Sequence, residues 1–386
     1  MSRGAQRVIL LLQATRGFDR GVLAGITRYA SLHGPWSFYR EQHAYYLPRQ
    51  TTTVDELRAW EPSGAVCPIN RLELVRPLGV PIVALDLNDY DGRLHVTITD
   101  DVDLGRQAAQ HLLGLGLQRF AFCGMERMRW SNMRQQGFEE TIDAAGYDVE
   151  VYRLPRKQRL TWVREEPAVA AWLQSLPRPT GLFCPNDDRS AYVLETCRSL
   201  GYGVPEDFAV IGVDDDPYVC ELANPSLTSV AVASERAGYD LADLLDKIIS
   251  GEVKSAGQRI VAAAAGVTAR QSTDTLMVRD SEVRKALRFI RENAPRSIQV
   301  RDVVRATSVS HRTLNERFER EFGSSILSHL TKARAAHISR LLRETALPIH
   351  RVAAMVGFPS SQHFARYFRR CTGMTPKAYR QKHAPP

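Results

Sequence analysis

At 386 residues, with 44% hydrophobic and 24% charged residues, the chain has room for two to four domains and the composition of a globular protein, not a disordered one. Its apolar run near the start, Val8 to Leu12, is too short for a signal-peptide core or a membrane span, and Arg16, Asp19 and Arg20 follow it, so a cytoplasmic protein with no membrane partner is expected. The net charge of +8 is divided unevenly: residues 279–386 hold 22 Lys and Arg against 8 Asp and Glu, whereas the preceding residues hold 29 against 35. An acidic body with a basic C-terminal region points to a polyanion for the latter, most simply nucleic acid.

Six cysteines, at 67, 123, 184, 197, 220 and 371, form no C-x-x-C pair. Irregular spacing of this kind suits reduced, buried thiols and argues against a cysteine zinc site. Neither a P-loop nor a G-x-S-x-G motif is present, so no catalytic residues, metal or cofactor are expected.

Through the first 270 residues, strand-like and helix-like stretches alternate. Strands are predicted over 8–12, 65–67, 80–85, 96–98, 119–123, 181–184 and 209–213, and helices over 25–33, 101–115, 131–145 and 188–200. Such alternation predicts parallel α/β sheets, whose ligands bind beyond the carboxyl ends of the strands. Polar groups collect at those ends. Phe18, Asp19 and Arg20 follow the first strand, and Asn186 and Asp187 follow 181–184. Trp130 and Arg134 lie at the start of the 131–145 helix. Val210-Ile211-Gly212-Val213 runs straight into Asp214, Asp215 and Asp216. Carboxylates, an amide and an arginine are what a polyol needs, each pairing with neighbouring hydroxyls, with an aromatic ring to stack on a sugar face. A helix cap or a loop ion pair is the competing role for each, and for Asp19, Asp100 and Asp216 it is equally weighted. Three adjacent acids on a strand tip point in different directions, which disfavours a metal-dependent hydrolase built on them.

The basic region contains a repeat. At an offset of 50, Ser310 meets Ser360, Leu314 meets Phe364, Phe318 meets Phe368 and Gly323 meets Gly373. In the second copy Pro348 suits a helix start, Ile349, Val352, Ala353 and Val356 form an apolar stripe, Gly357 suits the helix end and Ser360 the next cap. This is a helix-turn-helix pattern. Its outward set is Ser361, Gln362, Arg366 and Arg369, and in the first copy His311, Arg312, Asn315 and Glu316. Between the copies, residues 326–344 place Ile326, Leu330, Ala333, His337 and Leu341 on one face of a predicted helix. Nineteen helical residues span ~28 Å, a rod that sets two recognition helices about one DNA turn apart.

The stretch GFPSSQHFARYFRRCTGMTPKAYR (357–380) resembles the AraC-type DNA-binding signature, with Gly357-Phe358, Phe364, Arg366, Phe368, Arg369-Arg370, Gly373, Thr375-Pro376 and Tyr379-Arg380 in place. The first unit departs from it at Thr307-Ser308, where the family often has Ala-Gly. The body resembles the effector domain of LacI/GalR-type repressors and periplasmic sugar-binding proteins. The resemblance rests on Asp100-Asp101-x-x-x-Gly105, Arg134-x-x-Gly-Phe, Pro185-Asn186-Asp187, Asp214-Asp215 and Pro225-Ser226-Leu227-Thr228-Ser229-Val230. That pattern usually has Asn at the position of Asp101. It implies that Arg134, Asn186 and Asp214 contact the sugar. Of the other two acids, Asp215 is expected to orient neighbours or line the pocket, and Asp216, just before Pro217, to be a turn residue. The combination, with Arg270-Gln271-Ser272-Thr273-Asp274 at the junction, is similar to the xylose-operon activators of bacteria. The resemblance implies a two-lobed effector and dimerisation domain over 1–272, a linker over 273–281 and a double helix-turn-helix domain over 282–386. It further implies a homodimeric activator that responds to D-xylose or a related pentose and binds a double-stranded operator, with RNA polymerase a candidate further partner. A repressor, a regulator for another sugar or polyol, and an exported sugar-binding protein are the competing readings.

Overall fold

A computed structural model of the chain describes residues 5–41, 52–85, 92, 94–125, 128–153, 162–274, 280–345 and 347–383. The expected linker falls largely outside the described residues. The chain divides into two compact units, Met1–Asp274 and Thr275–Pro386.

Unit 1 runs β1 (Gln6–Leu10), α1 (Gly17–His33), β2 (Trp36–Arg40), α2 (Val54–Ala59), β3 (Gly64–Pro68), α3 (Leu72–Val75), β4 (Ile82–Leu85), β5 (His95–Thr99) and α4 (Asp101–Gly114). It continues with β6 (Phe120–Phe122), α5 (Arg129–Ala144), β7 (Val149–Val151), α6 (Trp162–Ser175), β8 (Thr180–Phe183), α7 (Asp187–Ser199), β9 (Phe208–Asp214) and α8 (Pro217–Leu222). It closes with β10 (Thr228–Val232), α9 (Ser234–Ile249), β11 (Arg259–Ala262) and β12 (Ala264–Thr268). Two six-stranded sheets result, ordered β11-β5-β4-β3-β1-β2 and β12-β10-β9-β8-β6-β7. Among the described residues every strand pairing is parallel except that of β12 on β10.

Parallel sheets are covered on both faces, and the period of two in a strand sorts its side chains accordingly. In β1 and the residue after it, Val8 and Leu10 join α1 and α9 in one core, while Ile9 and Leu11 join α2 and α3 in the other. In the second sheet Ala121, Leu182, Phe208 and Val210 face α6 and α7, and Phe122 and Phe183 stack with Phe138 of α5 on the opposite side.

The chain crosses between the sheets three times, at 99–101, 232–234 and 262–264. The crossings lie side by side: Asp100 N–H donates to Ala262 O at 3.1 Å, and Ala233 N–H to Ala263 O at 2.9 Å. Narrow multiple crossings of this kind are where two lobes hinge. Helices α4 and α5 touch backbone to backbone. A Cβ on Gly105 would lie 2.0 Å from Arg134 O, and one on Gly137 would lie 2.0 Å from Val102 O. Glycine at both positions therefore lets α5 set Arg134 against the first turn of α4.

Unit 2 comprises α10 (Ser281–Glu292), α11 (Val300–Arg305), α12 (His311–Phe322), α13 (Ile326–Glu344), α14 (Ile349–Met355), α15 (Ser361–Thr372) and α16 (Pro376–His383). The repeat is visible in the caps of α12 and α15. Ser310 and Ser360 accept from Thr313 N–H and His363 N–H, both at 3.2 Å, and Gly323 and Gly373 end their helices at φ 60° and 76°. The repeat extends one helix further than predicted: Ser325 caps α13 as Thr375 caps α16, accepting from Ser328 N–H and Ala378 N–H.

The predicted single apolar face of α13 is corrected. Ile326 and Leu330 are buried in one core with Leu314 and Phe318, but further along it is Ile338 and Leu342 that are buried, with Phe364 and Phe368. His337 and Leu341 lie beside that stripe, only partly buried. Twelve residues at about 100° each rotate the helix by a third of a turn, so one rod serves two cores on different azimuths.

Candidate functional site

The carboxyl ends of β1, β8 and β9 and the start of α5 bring together the predicted polar groups of unit 1. Arg134 is their centre and is only 4% exposed. Its Nε donates to Asp101 Oδ1 at 2.9 Å, its Nη1 donates to Pro185 O at 2.5 Å and lies 3.8 Å from Asp214 Oδ1, and its guanidinium sits 4.9 Å from the Trp130 ring centroid. One face of Trp130 is thus stacked on arginine, a cation–π contact within the protein. Asp101 also accepts from Thr99 Oγ1 at 2.7 Å. Burial raises its pKa, and Arg134 pulls it back down. Asp101 was not among the expected contacts. Its signal was in the chain, as a carboxylate at a helix start where the related pattern has an amide.

The three consecutive acids separate completely. Asp214 and Asp215 both have positive φ, 110° and 50°. Non-glycine residues there cost of order 1–3 kcal/mol each, and such strain gathers at ligand sites. Asp214 faces Arg134. Asp215 turns back across the sheet: its N–H donates to Ser229 Oγ at 3.0 Å, and its carboxylate accepts from Thr268 Oγ1 and Arg270 Nη1, both at 2.7 Å. Asp216, 5% exposed, accepts from Tyr218 N–H at 3.1 Å as the cap of α8, donates its own N–H to Asp187 Oδ2 at 2.8 Å and pairs with Arg20. Each acid has its own arginine on a different element, which offsets the repulsion of three like charges. Asp216 is therefore a cap and an ion-pair partner as well as a turn residue.

Electrostatics single out Asp214. Burial pushes its pKa up to about 6, while Arg134 and Arg16 lower it and Asp188 raises it. The buried Asp187 beside it is pushed well above the usual carboxylate range by burial and by the charge of Asp214. Asp187 accepts from Ser229 Oγ at 2.6 Å and from the Cys220 thiol at 3.3 Å. Arg16 and Asp188 were not predicted. Arg16 precedes α1 and Asp188 lies in the first turn of α7, and charges at helix starts are common enough to mark no site until the fold assembles them.

The remaining expected contacts are placed as follows. Phe18 packs against the core under α1. Asp19 is raised by burial and lowered by Arg16. Arg20 donates to Ala14 O at 3.1 Å and to Asp216 and lies 4.8 Å from the Tyr218 ring centroid, so its guanidinium is already engaged. Asn186 caps α7, its Oδ1 accepting from Arg189 N–H at 3.0 Å. The Asn186 amide nitrogen has no partner among the described residues. Asp100 caps α4, accepting from Asp103 N–H at 3.2 Å.

In unit 2, Ser361, Gln362, Arg366 and Arg369 all lie exposed along α15, and His311, Arg312 and Glu316 along α12. Asn315 is only partly exposed. Its Nδ2 donates to Glu319 Oε1 at 2.8 Å and its Oδ1 accepts from Ile326 N–H at 3.3 Å, which ties α12 to the start of α13. Arg312 and Glu316 form an ion pair at 2.9 Å. The Thr307-Ser308 turn is pinned: Ser308 N–H donates to Glu282 Oε2 at 2.6 Å and Thr307 Oγ1 to Val304 O at 2.8 Å.

No helix among the described residues is long and apolar enough to cross a membrane. Residues 109–273 match the model of the periplasmic binding protein-like domain, and residues 303–382 that of a helix-turn-helix domain. The xylose operon regulatory protein of Escherichia coli K12 is 30% identical over 385 residues, spanning 97% of this chain and 96% of that protein. The protein of the same name from Haemophilus influenzae is 28% identical, over 98% and 99%. A solved structure of a xylose-binding transcription activator superposes over the whole of both chains with a TM-score of 0.85 at 28% identity. The two-lobed α/β unit and the paired helix-turn-helix units thus occur in the same order along chains of matching length, and the protein belongs to the xylose operon regulatory protein family of sugar-responsive, DNA-binding transcription regulators.

Proposed function

We propose that the protein is a cytoplasmic, homodimeric activator that binds D-xylose or a related pentose between the lobes of unit 1 and a double-stranded operator through α12 and α15, with RNA polymerase as its further partner. The observation that carries the effector site is the Asp101–Arg134–Asp214 cluster. A buried arginine held by one carboxylate leaves a second, Asp214, at 3.8 Å, and the two groups can divide a sugar's hydroxyls between donor and acceptor. Asn186 adds amide donors from the head of α7, and Asp19 a further carboxylate. Phe18 and Trp130 supply apolar surface, and Arg20, through Asp216, ties the α1 side of the cleft to the α8 side. On DNA, Arg366 and Arg369 meet phosphates, while Ser361 and Gln362 at the head of α15, and His311, Arg312 and Glu316 at the head of α12, face base edges. Asn315 holds the helix that presents them. No catalytic step is assigned to any residue.

A thermal-shift series on the full chain with D-xylose, D-ribose, L-arabinose, D-glucose and xylitol tests the effector. A ligand at a hundred times its Kd stabilises the native state by about 2.7 kcal/mol, so the cognate sugar raises Tm by several degrees. D-xylose or another pentose is expected to give the largest shift. A hexose that shifts Tm while every pentose fails would overturn the pentose assignment.

A further inference from the structure

We propose that Arg270 is the positioning residue that carries the state of the sugar cleft to the point where the chain leaves unit 1, an inference that rests on reading that cleft as the effector site. Asp214 and Asp215 share one peptide plane, and both hold backbone angles that L-residues rarely adopt. A rotation at Asp214 therefore displaces Asp215. Asp214 is only loosely paired with Arg134, whereas Asp215 is held firmly by Arg270 Nη1 at 2.7 Å. A hydroxyl that takes up Arg134 or Asp214 alters the balance of contacts that keeps the tip in this conformation, and Arg270 is the group that registers it.

Arg270 also opens the last segment of unit 1. Its N–H donates to Thr228 Oγ1 at 2.8 Å, and its side chain additionally donates to Leu227 O and Glu221. The Thr228 hydroxyl lies 2.8 Å from that of Thr273, and Ser272 Oγ donates to Val210 O of β9 at 2.6 Å. Unit 1 ends one residue later, at Asp274. A second arm reaches the same point. Thr273 Oγ1 lies 2.8 Å from His111 Nε2 in the last turn of α4, and the first residue of α4 is Asp101, which holds Arg134. Both members of the Arg134–Asp214 pair are thus linked to residues 270–273, one through Asp215 and Arg270 and one along a rigid helix. A contiguous chain of bonds that ends on a strained tip able to change conformation is one physical form that coupling between sites takes.

The test uses the full chain, D-xylose and a DNA duplex selected by the wild-type protein from a random library in the presence of D-xylose. Fluorescence anisotropy gives duplex affinity with and without sugar, and their ratio is the coupling factor. In Arg270→Gln, sugar affinity and sugar-free duplex affinity are expected to stay within about threefold of wild type while the coupling factor falls at least about fivefold towards one. A merely structural role would shift Tm without that split. A coupling factor within about twofold of wild type overturns the proposal, and so does a loss of sugar affinity beyond about tenfold, which would place Arg270 in the pocket itself. Asp215→Asn carries the same test from the other partner should Arg270→Gln fold poorly. A wild-type protein whose duplex affinity ignores every sugar that shifts its Tm overturns the effector reading instead, and that result is obtained before any variant is made.

Discussion

A carboxylate held near a pKa of 6 changes state within the range of ordinary buffers, and Asp214 is that group in the cleft. Burial is the main cause, so its folded value lies above its unfolded one and the ionised form is the disfavoured one in the empty protein. The folded chain therefore takes up a proton at Asp214 as pH falls through about 6, and the penalty for its charge is fully present above that pH. A sugar hydroxyl donates more strongly to the ionised carboxylate of Asp214 than to its acid form. Binding should then draw the pKa down and release a proton near pH 6, and affinity should fall by up to about tenfold per pH unit below that. Calorimetry in buffers of different ionisation enthalpy measures the released proton directly, and Asp214→Asn should abolish it. Affinity that stays flat from pH 7.5 to 5 would remove Asp214 from the contact set. Its neighbours were only half legible. Three acids in a row announce a site, but the division of labour among them depends on arginines at 20, 134 and 270, far apart in the chain and brought together only by the fold.

Recognition by α12 and α15 depends on which side chains are free to leave the protein surface. The two helices descend from one repeat but differ in charge: α12 holds three arginines against three glutamates, α15 three arginines and no acid. Gln362 is exposed and has no partner among the described residues, whereas both ends of the Asn315 amide are bonded within the unit. Gln362→Ala should relax base preference at one operator position by about 1–3 kcal/mol while leaving Tm unchanged. Asn315→Ala should do the reverse, costing about 1 kcal/mol of stability with base preference intact. Parallel binding-site selections and melting curves separate the two, and a uniform loss over all sequences for Gln362→Ala would make it a backbone contact. The ends of these helices were readable because caps are local: Ser310, Ser360, Gly323 and Gly373 need no tertiary partner to declare themselves. Elements of unit 1 that went unpredicted carry no signal so local. Strands β2, β7, β10, β11 and β12 are no shorter than those foreseen, but Ser37, Glu150, Thr228, Arg259 and Gly266 interrupt the apolar runs by which buried strands show, whereas the apolar stripe of α9, Ala237, Leu241 and Leu245, was in the chain and went unread. The crossings at 99–101, 232–234 and 262–264 leave no trace in the chain, since switching sheets needs no special residue.

At the scale of the whole molecule, the two ligands call on opposite kinds of force. A sugar is neutral and is bound by short-range hydrogen bonds in a body whose charge is slightly negative, while the operator is a polyanion met by a region with 22 cations against 8 anions. Salt should therefore separate them. Each phosphate neutralised by Lys or Arg releases counterions, so log K falls with log salt at about −0.9 per contact. Arg366, Arg369 and Arg370 of α15 are exposed and carry no ion pair among the described residues, and with about two further cations of the basic region about five phosphates are within reach. Operator affinity is then expected to drop by on the order of a hundredfold to a thousandfold between 50 and 200 mM salt, with sugar affinity unchanged. The Arg312–Glu316 pair predicts a difference between the units. Replacing Arg366 should flatten the salt slope by about one, whereas replacing Arg312, which faces base edges and shares its charge with Glu316, should flatten it less. Anisotropy titrations over that salt range measure both slopes. Equal changes for the two arginines would mean that Glu316 swings away on DNA, and the charge difference between α12 and α15 would then have no consequence for binding.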